Sequence, residues 1–224
     1  AEEKGKKAEE SDAEYQFRLA GMNYTRSALE HLVMEAQGLN PSYVWHDDAS
    51  LPDGLDLVVL PGGFSYGDYL RCGALAARSP AMVSLREAAE FGAPILGICN
   101  GFQILCEAGL LPGALVRNQN LRFNDKWVDL HVDNAHLTFQ AHEKIRLPVA
   151  HGEGRFVIDE AGLKALEDNG QIWMRYLDNP NGSLLDIAGV MNKKKNVAAL
   201  MPHPERATAE FMGSLDGQSF FRSI

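Results

Sequence analysis

Three short segments of this 224-residue chain carry side chains suited to covalent chemistry. Gly97-Ile98-Cys99-Asn100-Gly101 has the form of a nucleophile elbow, in which small flanking residues allow a strained strand-to-helix turn that exposes the central side chain. Cys99 would then stand at a helix N-terminus, where the helix dipole and unpaired backbone N–H groups make a thiol a nucleophile. His203 directly follows an apolar run, and Glu205 stands two residues on, where it could orient the imidazole and stabilise its charge. Pro61-Gly62-Gly63 lets backbone approach a ligand closely, and with the N–H of Asn100 it could bind an oxyanion. Each segment also has a plainer reading. Cys99 could be a buried small hydrophobe, His203 a turn residue between prolines, Glu205 a complement to a helix dipole, and the glycine pair a tight turn.

The other two thiols, Cys72 and Cys106, lack the elbow spacing and read as structural. Three cysteines have neither the even count of a disulfide framework nor the paired spacing of a zinc site, which suits a reducing cytosol. The histidines outside the His203 segment show no clustered ligand spacing, so no metal site is assigned.

Positioning these segments requires a sheet whose strands end where they begin. Residues Leu55 to Leu60, Pro94 to Ile98 and Val197 to Met201 are short, nearly unbroken apolar runs, the pattern of central parallel strands covered on both faces. Each runs straight into one of the chemical segments, and in open α/β sheets sites form at the carboxyl ends of strands. Helices are expected between them, over Arg26 to Gln37 stopped by Gly38, Pro80 to Phe91 with Ser79 as N-cap, and Asn100 to Ala108 stopped by Gly109. Alternation predicts a half-buried strand at Tyr15 to Leu19, followed by a turn at Gly21 and Asn23, with a second strand at Tyr43 to Trp45. Between Leu115 and Tyr176 the alternation of Val128, Leu130 and Val132, and of Ile145, Leu147 and Val149, predicts antiparallel additions at an edge. The fold class is therefore α/β, a doubly wound, mostly parallel sheet with flanking helices and antiparallel edge additions.

Composition narrows the function classes. A formal charge of −9, with Lys193, Lys194 and Lys195 as the only dense basic run, argues against a nucleic-acid partner. No window approaches the ~20 apolar residues of a bilayer span, and the opening residues lack the apolar core of a secretory signal. Residues 1–14 are expected to be a charged, disordered extension, and residues 15–224 a single domain in the cytoplasm.

Taken together, the motifs resemble the class I (triad) glutamine amidotransferases, whose sheet is flavodoxin-like, and within them the glutaminase components of phosphoribosylformylglycinamidine synthases. The resemblance rests on PGGFSYGDYLRCGA at 61–74, GICNGFQIL at 97–105, GLLPGAL at 109–115, KWVDL at 126–130, PVAHGEGRF at 148–156, NGS and IAGV between 181 and 190, and MPHPERA at 201–207. It implies Cys99 as nucleophile, His203 as general base and then acid, and Glu205 as the third triad member. It also implies an oxyanion hole from the backbone of Gly63 and Asn100, with Gly62 and Gln103 beside bound glutamine. No cofactor is implied in this chain. ATP and Mg are expected on a partner, the ATP-dependent synthetase that makes formylglycinamidine ribonucleotide, with a small accessory subunit as a further candidate. The family's opening Pro-Gly-x-Asn-Cys turn is replaced here by Ala20-Gly21-Met22-Asn23-Tyr24. Two rival readings stay open on the residues alone: another elbow-cysteine hydrolase of DJ-1/PfpI-like type, and a catalytically silent regulatory module.

Overall fold

The computed structural model describes residues 29–68, 70–136 and 139–222. The charged segment 1–14, the strand at Tyr15 to Leu19, the turn at Gly21 and Asn23, and the start of the first helix lie outside the described residues.

The first described element is helix α1, residues 29–36, and it stops where expected, at Gly38 with φ 85°. A left-handed residue costs glycine nothing, so the last carbonyls are capped there. Strand β1 is Val58–Leu60, β2 is Ile95–Ile98, and α2, Ala81–Glu90, connects them along one face. Helix α3, Asn100–Glu107, leaves β2 directly and ends before Gly109, φ 70°. The strands β3 (Ala114–Val116), β4 (Asn124–Val132), β5 (Lys144–His151) and β6 (Arg155–Val157) follow. After them come α4 (Glu160–Asp168), β7 (Ile172–Tyr176), β8 (Ile187–Met191) and β9 (Val197–Leu200).

Among the described residues seven strands form one sheet in the order β1-β2-β9-β8-β7-β4-β5, and β3 pairs with β6 separately. The β1, β2 and β9 strands run parallel to one another, and the remaining pairings in the sheet are antiparallel. Burial separates the middle of the sheet from its β4–β5 end. Ile95 to Ile98 and Val197 to Leu200 are buried at every position, as a strand covered on both faces must be. The alternating β4 and β5 bury Val128, Leu130, Val132, Ile145, Leu147 and Val149 and turn charged neighbours outward. Phe102 of α3 stacks on Phe156 of β6, centroids 6.1 Å apart, so the small sheet is fastened over the helix that carries the elbow.

Two local expectations are corrected. Tyr43 to Trp45 is not a strand. Instead, the Tyr43 ring stacks on His31 at 4.5 Å and Trp45 meets His46 at 4.7 Å, so the aromatic surface that suggested a strand is spent on imidazoles. Ser79 does not cap α2, whose N-cap position is Pro80 without a side-chain bond. Its hydroxyl donates backward to Ala76 O at 2.8 Å, closing the preceding turn at Ala76–Arg78. Among the described residues no helix is long and apolar enough to cross a membrane.

Parallel register brings the three chemical segments together. Leu60 pairs with Gly97, and Ile98 with Leu200, so β1, β2 and β9 end on one level. The Cys99 N–H then donates to Leu200 O at 2.9 Å, tying the elbow to the last residue of β9.

Candidate active site

Cys99 occupies the N-cap of α3 with φ 49° and ψ −101°, a conformation that side-chain-bearing residues rarely adopt. The two glycines of the elbow permit it. A Cβ on Gly97 would come 2.6 Å from Leu105 Cδ1 and 3.0 Å from Ala199 Cβ, and one on Gly101 would collide with the Leu60 carbonyl oxygen. The Cys99 carbonyl accepts from the N–H groups of Phe102 and Gln103, at 3.0 and 3.2 Å, and so begins the helix. The thiol is buried against the Ala150 carbonyl at 3.9 Å.

His203 leaves β9 with its N–H bound to Pro148 O of β5 at 2.8 Å. The single 3₁₀ turn Pro204–Arg206 then folds the chain back on itself, so Glu205 Oε1 accepts from His203 Nδ1 at 2.6 Å, with both side chains buried. A carboxylate can only accept, which puts the Nδ1 proton on His203 and leaves the buried Nε2 as the exchangeable position. Arg206 Nε lies 3.4 Å from the same carboxylate oxygen. Burial by itself draws the imidazole downward. The Glu205 carboxylate and the nearby Cys99 sulfur outweigh that and push it up to about 10. A proton delivered to His203 is therefore well held.

Cys99, His203, Gly63 and Gln103 line one cavity of about 730 Å³. Gly62 packs beside it against the His203 ring, where a Cβ would stand 2.7 Å from Cε1, and Gly63 follows with φ 129°. Asn100 is the first residue of α3, and its Nδ2 donates to Gln103 Oε1 at 2.9 Å. Gln103 Nε2 in turn donates to Glu153 O at 2.6 Å. All seven residues singled out from the sequence are thus gathered at one end of the parallel strands.

Several residues around the cavity were not anticipated. Asp68 and Glu153 bring carboxylates, and Arg117, Arg122 and Arg206 bring guanidinium groups, so the mouth carries both signs of charge. That pairing suits a zwitterionic α-amino acid. Cys72 also lines it, but burial first, and then Asp68 and Glu153, push its thiol up and keep it protonated. Cys106 is likewise pushed up by burial, with Glu107 adding to it. His151 lines the cavity too, pushed down to about 4 by burial and by His203. Asn118 fixes its tautomer. The Asn118 amide nitrogen donates to Arg122 O and His151 O, at 2.8 and 2.9 Å, so Oδ1 is the acceptor facing His151 Nδ1 at 3.2 Å. His151 Nδ1 must carry the proton, leaving Nε2 a bare lone pair without a protein partner. The signal for Asp68, His151 and Glu153 was inside the SYGD and HGEG segments, but no spacing rule marks such a role.

Among the described residues Glu30, in the first described turn of α1, is the other buried acid beside Cys99, His203 and Glu205. Its Oε1 accepts from Gly62 N–H at 3.1 Å.

Residues 2–219 match the family described as the CobB/CobQ-like glutamine amidotransferase domain. Among solved structures, PurLQS from Thermotoga maritima is 48% identical, with 88% of this chain and 90% of that chain covered and a TM-score of 0.80. A putative GMP synthase component from Thermoplasma acidophilum is 19% identical over 88% of this chain and 85% of its own, TM-score 0.55. The glutaminase domain of Trypanosoma brucei CTPS, solved with bound acivicin, is 16% identical over the same shares, TM-score 0.53. The last two likenesses are of fold. The chain belongs to the CobB/CobQ-like glutamine amidotransferase family. The particular resemblance drawn from its motifs, to the glutaminase component of phosphoribosylformylglycinamidine synthase, holds as well.

Proposed function

We propose that Cys99, His203 and Glu205 form a triad that hydrolyses glutamine and supplies the ammonia to an ATP-dependent synthetase. The observation that carries this reading is the shared cavity. Cys99 and His203 both line it, and the imidazole is held by Glu205 at 2.6 Å. His203 Nε2 takes the Cys99 thiol proton, the thiolate attacks the side-chain amide carbon, and the resulting oxyanion is met by the backbone N–H groups of Gly63 and Asn100. Collapse breaks the C–N bond as His203 Nε2 gives its proton to the departing nitrogen, leaving a γ-glutamyl thioester and ammonia. His203 then takes a proton from water, hydroxide attacks the thioester, and glutamate leaves as the thiolate returns. Gln103 and the charged mouth hold the α-amino acid end, with Asp68 and Glu153 available to its ammonium and Arg117 and Arg122 to its carboxylate.

The synthetase is assigned to the partner, in keeping with the PurLQS assembly found for the 48% identical structure. On that partner ATP and Mg would drive formation of formylglycinamidine ribonucleotide in purine biosynthesis, in the cytoplasm, with a small accessory subunit in the complex. The test is incubation with a diazo-ketone analogue of glutamine, digestion and mass spectrometry. Modification confined to Cys99 and suppressed by glutamine is expected. Modification of Cys72 or Cys106 in its place would refute the assignment.

A further inference from the structure

The oxyanion loop is made of two consecutive glycines, Gly62 and Gly63. Neither has a side chain to pack, and each is free to explore conformations closed to other residues, so the loop needs a tether from elsewhere. Among the described residues Glu30 supplies one from a distant part of the chain. Its side chain is 3% exposed, and Oε1 accepts the Gly62 N–H at 3.1 Å across 32 residues of sequence. The Pro61–Gly62 peptide so held carries the Gly62 Cα into the site, since a Cβ there would lie 2.7 Å from His203 Cε1 and 3.6 Å from Cys99 Cβ. The other carboxyl oxygen, Oε2, is buried with no partner, as is Oε2 of Glu205. A carboxyl buried in that state costs stability and has no packing advantage over an aliphatic side chain of its size. A carboxyl placed there at that cost fits a role in the site.

Resting on the triad reading above, we propose that Glu30 is a positioning residue for the oxyanion hole. Holding the Pro61–Gly62 peptide, it anchors the Gly62 Cα beside His203 and Cys99, so that the following peptide, which carries the Gly63 N–H, stays aimed where charge develops. Burial, then the Glu205 carboxylate, raise the Glu30 carboxyl to about 7, opposed by the Gly62 N–H and by His203. Either protonation state keeps Oε1 as an acceptor, so the tether holds on both sides of neutrality.

The experiment measures alkylation of Cys99 by a glutamine-mimicking chloroketone, whose ketone oxygen must enter the oxyanion hole, and separates the maximal rate kinact from the binding constant KI. The full chain is used, alone and with its synthetase. Glu30→Gln keeps an acceptor and is expected to hold kinact within ~3-fold of wild type. Glu30→Leu removes it and is expected to lower kinact roughly 10–100-fold with KI changed less than ~3-fold, a fraction of the loss for deleting an oxyanion donor outright. Leu at the wild-type rate, or Gln falling as far as Leu, overturns the proposal. Should Glu30→Leu not fold, the Gly62 amide resonance decides. It is expected to shift with a midpoint near pH 7 in the wild type and not in Glu30→Gln, and the same shift in both proteins overturns the contact. An unlabelled Cys99 in wild type would sink the triad reading itself, which keeps the two failures distinct.

Discussion

Replacing Glu30 by Gln is expected to stabilise the protein at pH 8 and to leave its stability unchanged at pH 4. In the folded chain the carboxyl is raised from 4.5 to about 7, first by burial and second by the Glu205 charge. An acid with a raised folded value favours the protonated form. Its contribution to stability is intact below pH 4.5 and is lost as pH climbs through about 7, above which the ionised group is a constant penalty. At about 1.4 kcal/mol per pH unit of displacement, that penalty is about 3 kcal/mol. Its ceiling is set by how much Glu205 and Glu30 relax away from each other. The amide of Gln is never charged and still accepts the Gly62 N–H, so it escapes the penalty without losing the tether. A chain of this size gains about 2–4 °C per kcal/mol, so a rise in Tm of about 6–12 °C at pH 8 is expected. Scanning calorimetry of both proteins between pH 4 and pH 8 reads the effect directly. Melting curves that run parallel across the whole range would show that Glu30 does not ionise in a buried site, and would refute the reasoning.

Cys99→Ala in the reconstituted synthase is expected to lose glutamine-dependent synthesis by at least ~10³-fold while ammonia-dependent synthesis stays within ~2-fold, as measured by product formation with each nitrogen source. Glu205→Gln removes the charge that opposes burial, so the His203 imidazole should drop from about 10 toward or below 6.5, read by NMR titration, with glutaminase kcat falling roughly 10²–10⁴-fold. Gly101→Ala would drive a methyl into the Leu60 carbonyl, and a loss of more than ~3 kcal/mol in chemical denaturation is expected. His151, pushed down to about 4, holds a contribution that is full above pH 6.5 and drains away as pH falls through about 4. In His151→Gln the stability lost between pH 7 and pH 4 should therefore shrink by about 2–3 kcal/mol, as followed by urea unfolding.

The parallel strands and the elbow could be read from sequence because their signals are local. A strand buried on both faces has no polar positions, as in Ile95 to Ile98 and Val197 to Leu200, and a turn that tolerates no Cβ spells itself out in Gly97 and Gly101. His203 and Glu205 were legible because one tight turn suffices to bring a residue back onto its neighbour. Glu30, Asn118 and His151 were not. Glu30 lies on a helix whose periodicity says only that one face is buried, and its partner Gly62 is fixed by tertiary packing. Asn118 sets the His151 tautomer through the carbonyls of Arg122 in its own loop and of His151 at the end of β5, a tertiary contact that no spacing encodes. The misread strand at Tyr43 to Trp45 has the same cause, since β-forming aromatics do not reveal whether they will meet a ladder or, as here, the rings of His31 and His46.

Strand β9 follows every other described strand in sequence, yet it lies inside the sheet, between β2 and β8. While the ribosome is still making the preceding residues, β2 has no neighbour on that side, and the Cys99 N–H lacks its Leu200 acceptor. The elbow lacks this tie until the segment carrying His203 arrives and docks. On the triad proposed above, nucleophile and base become competent in the same event, and a chain lacking β9 is expected to carry an ordinary cysteine that does not consume glutamine.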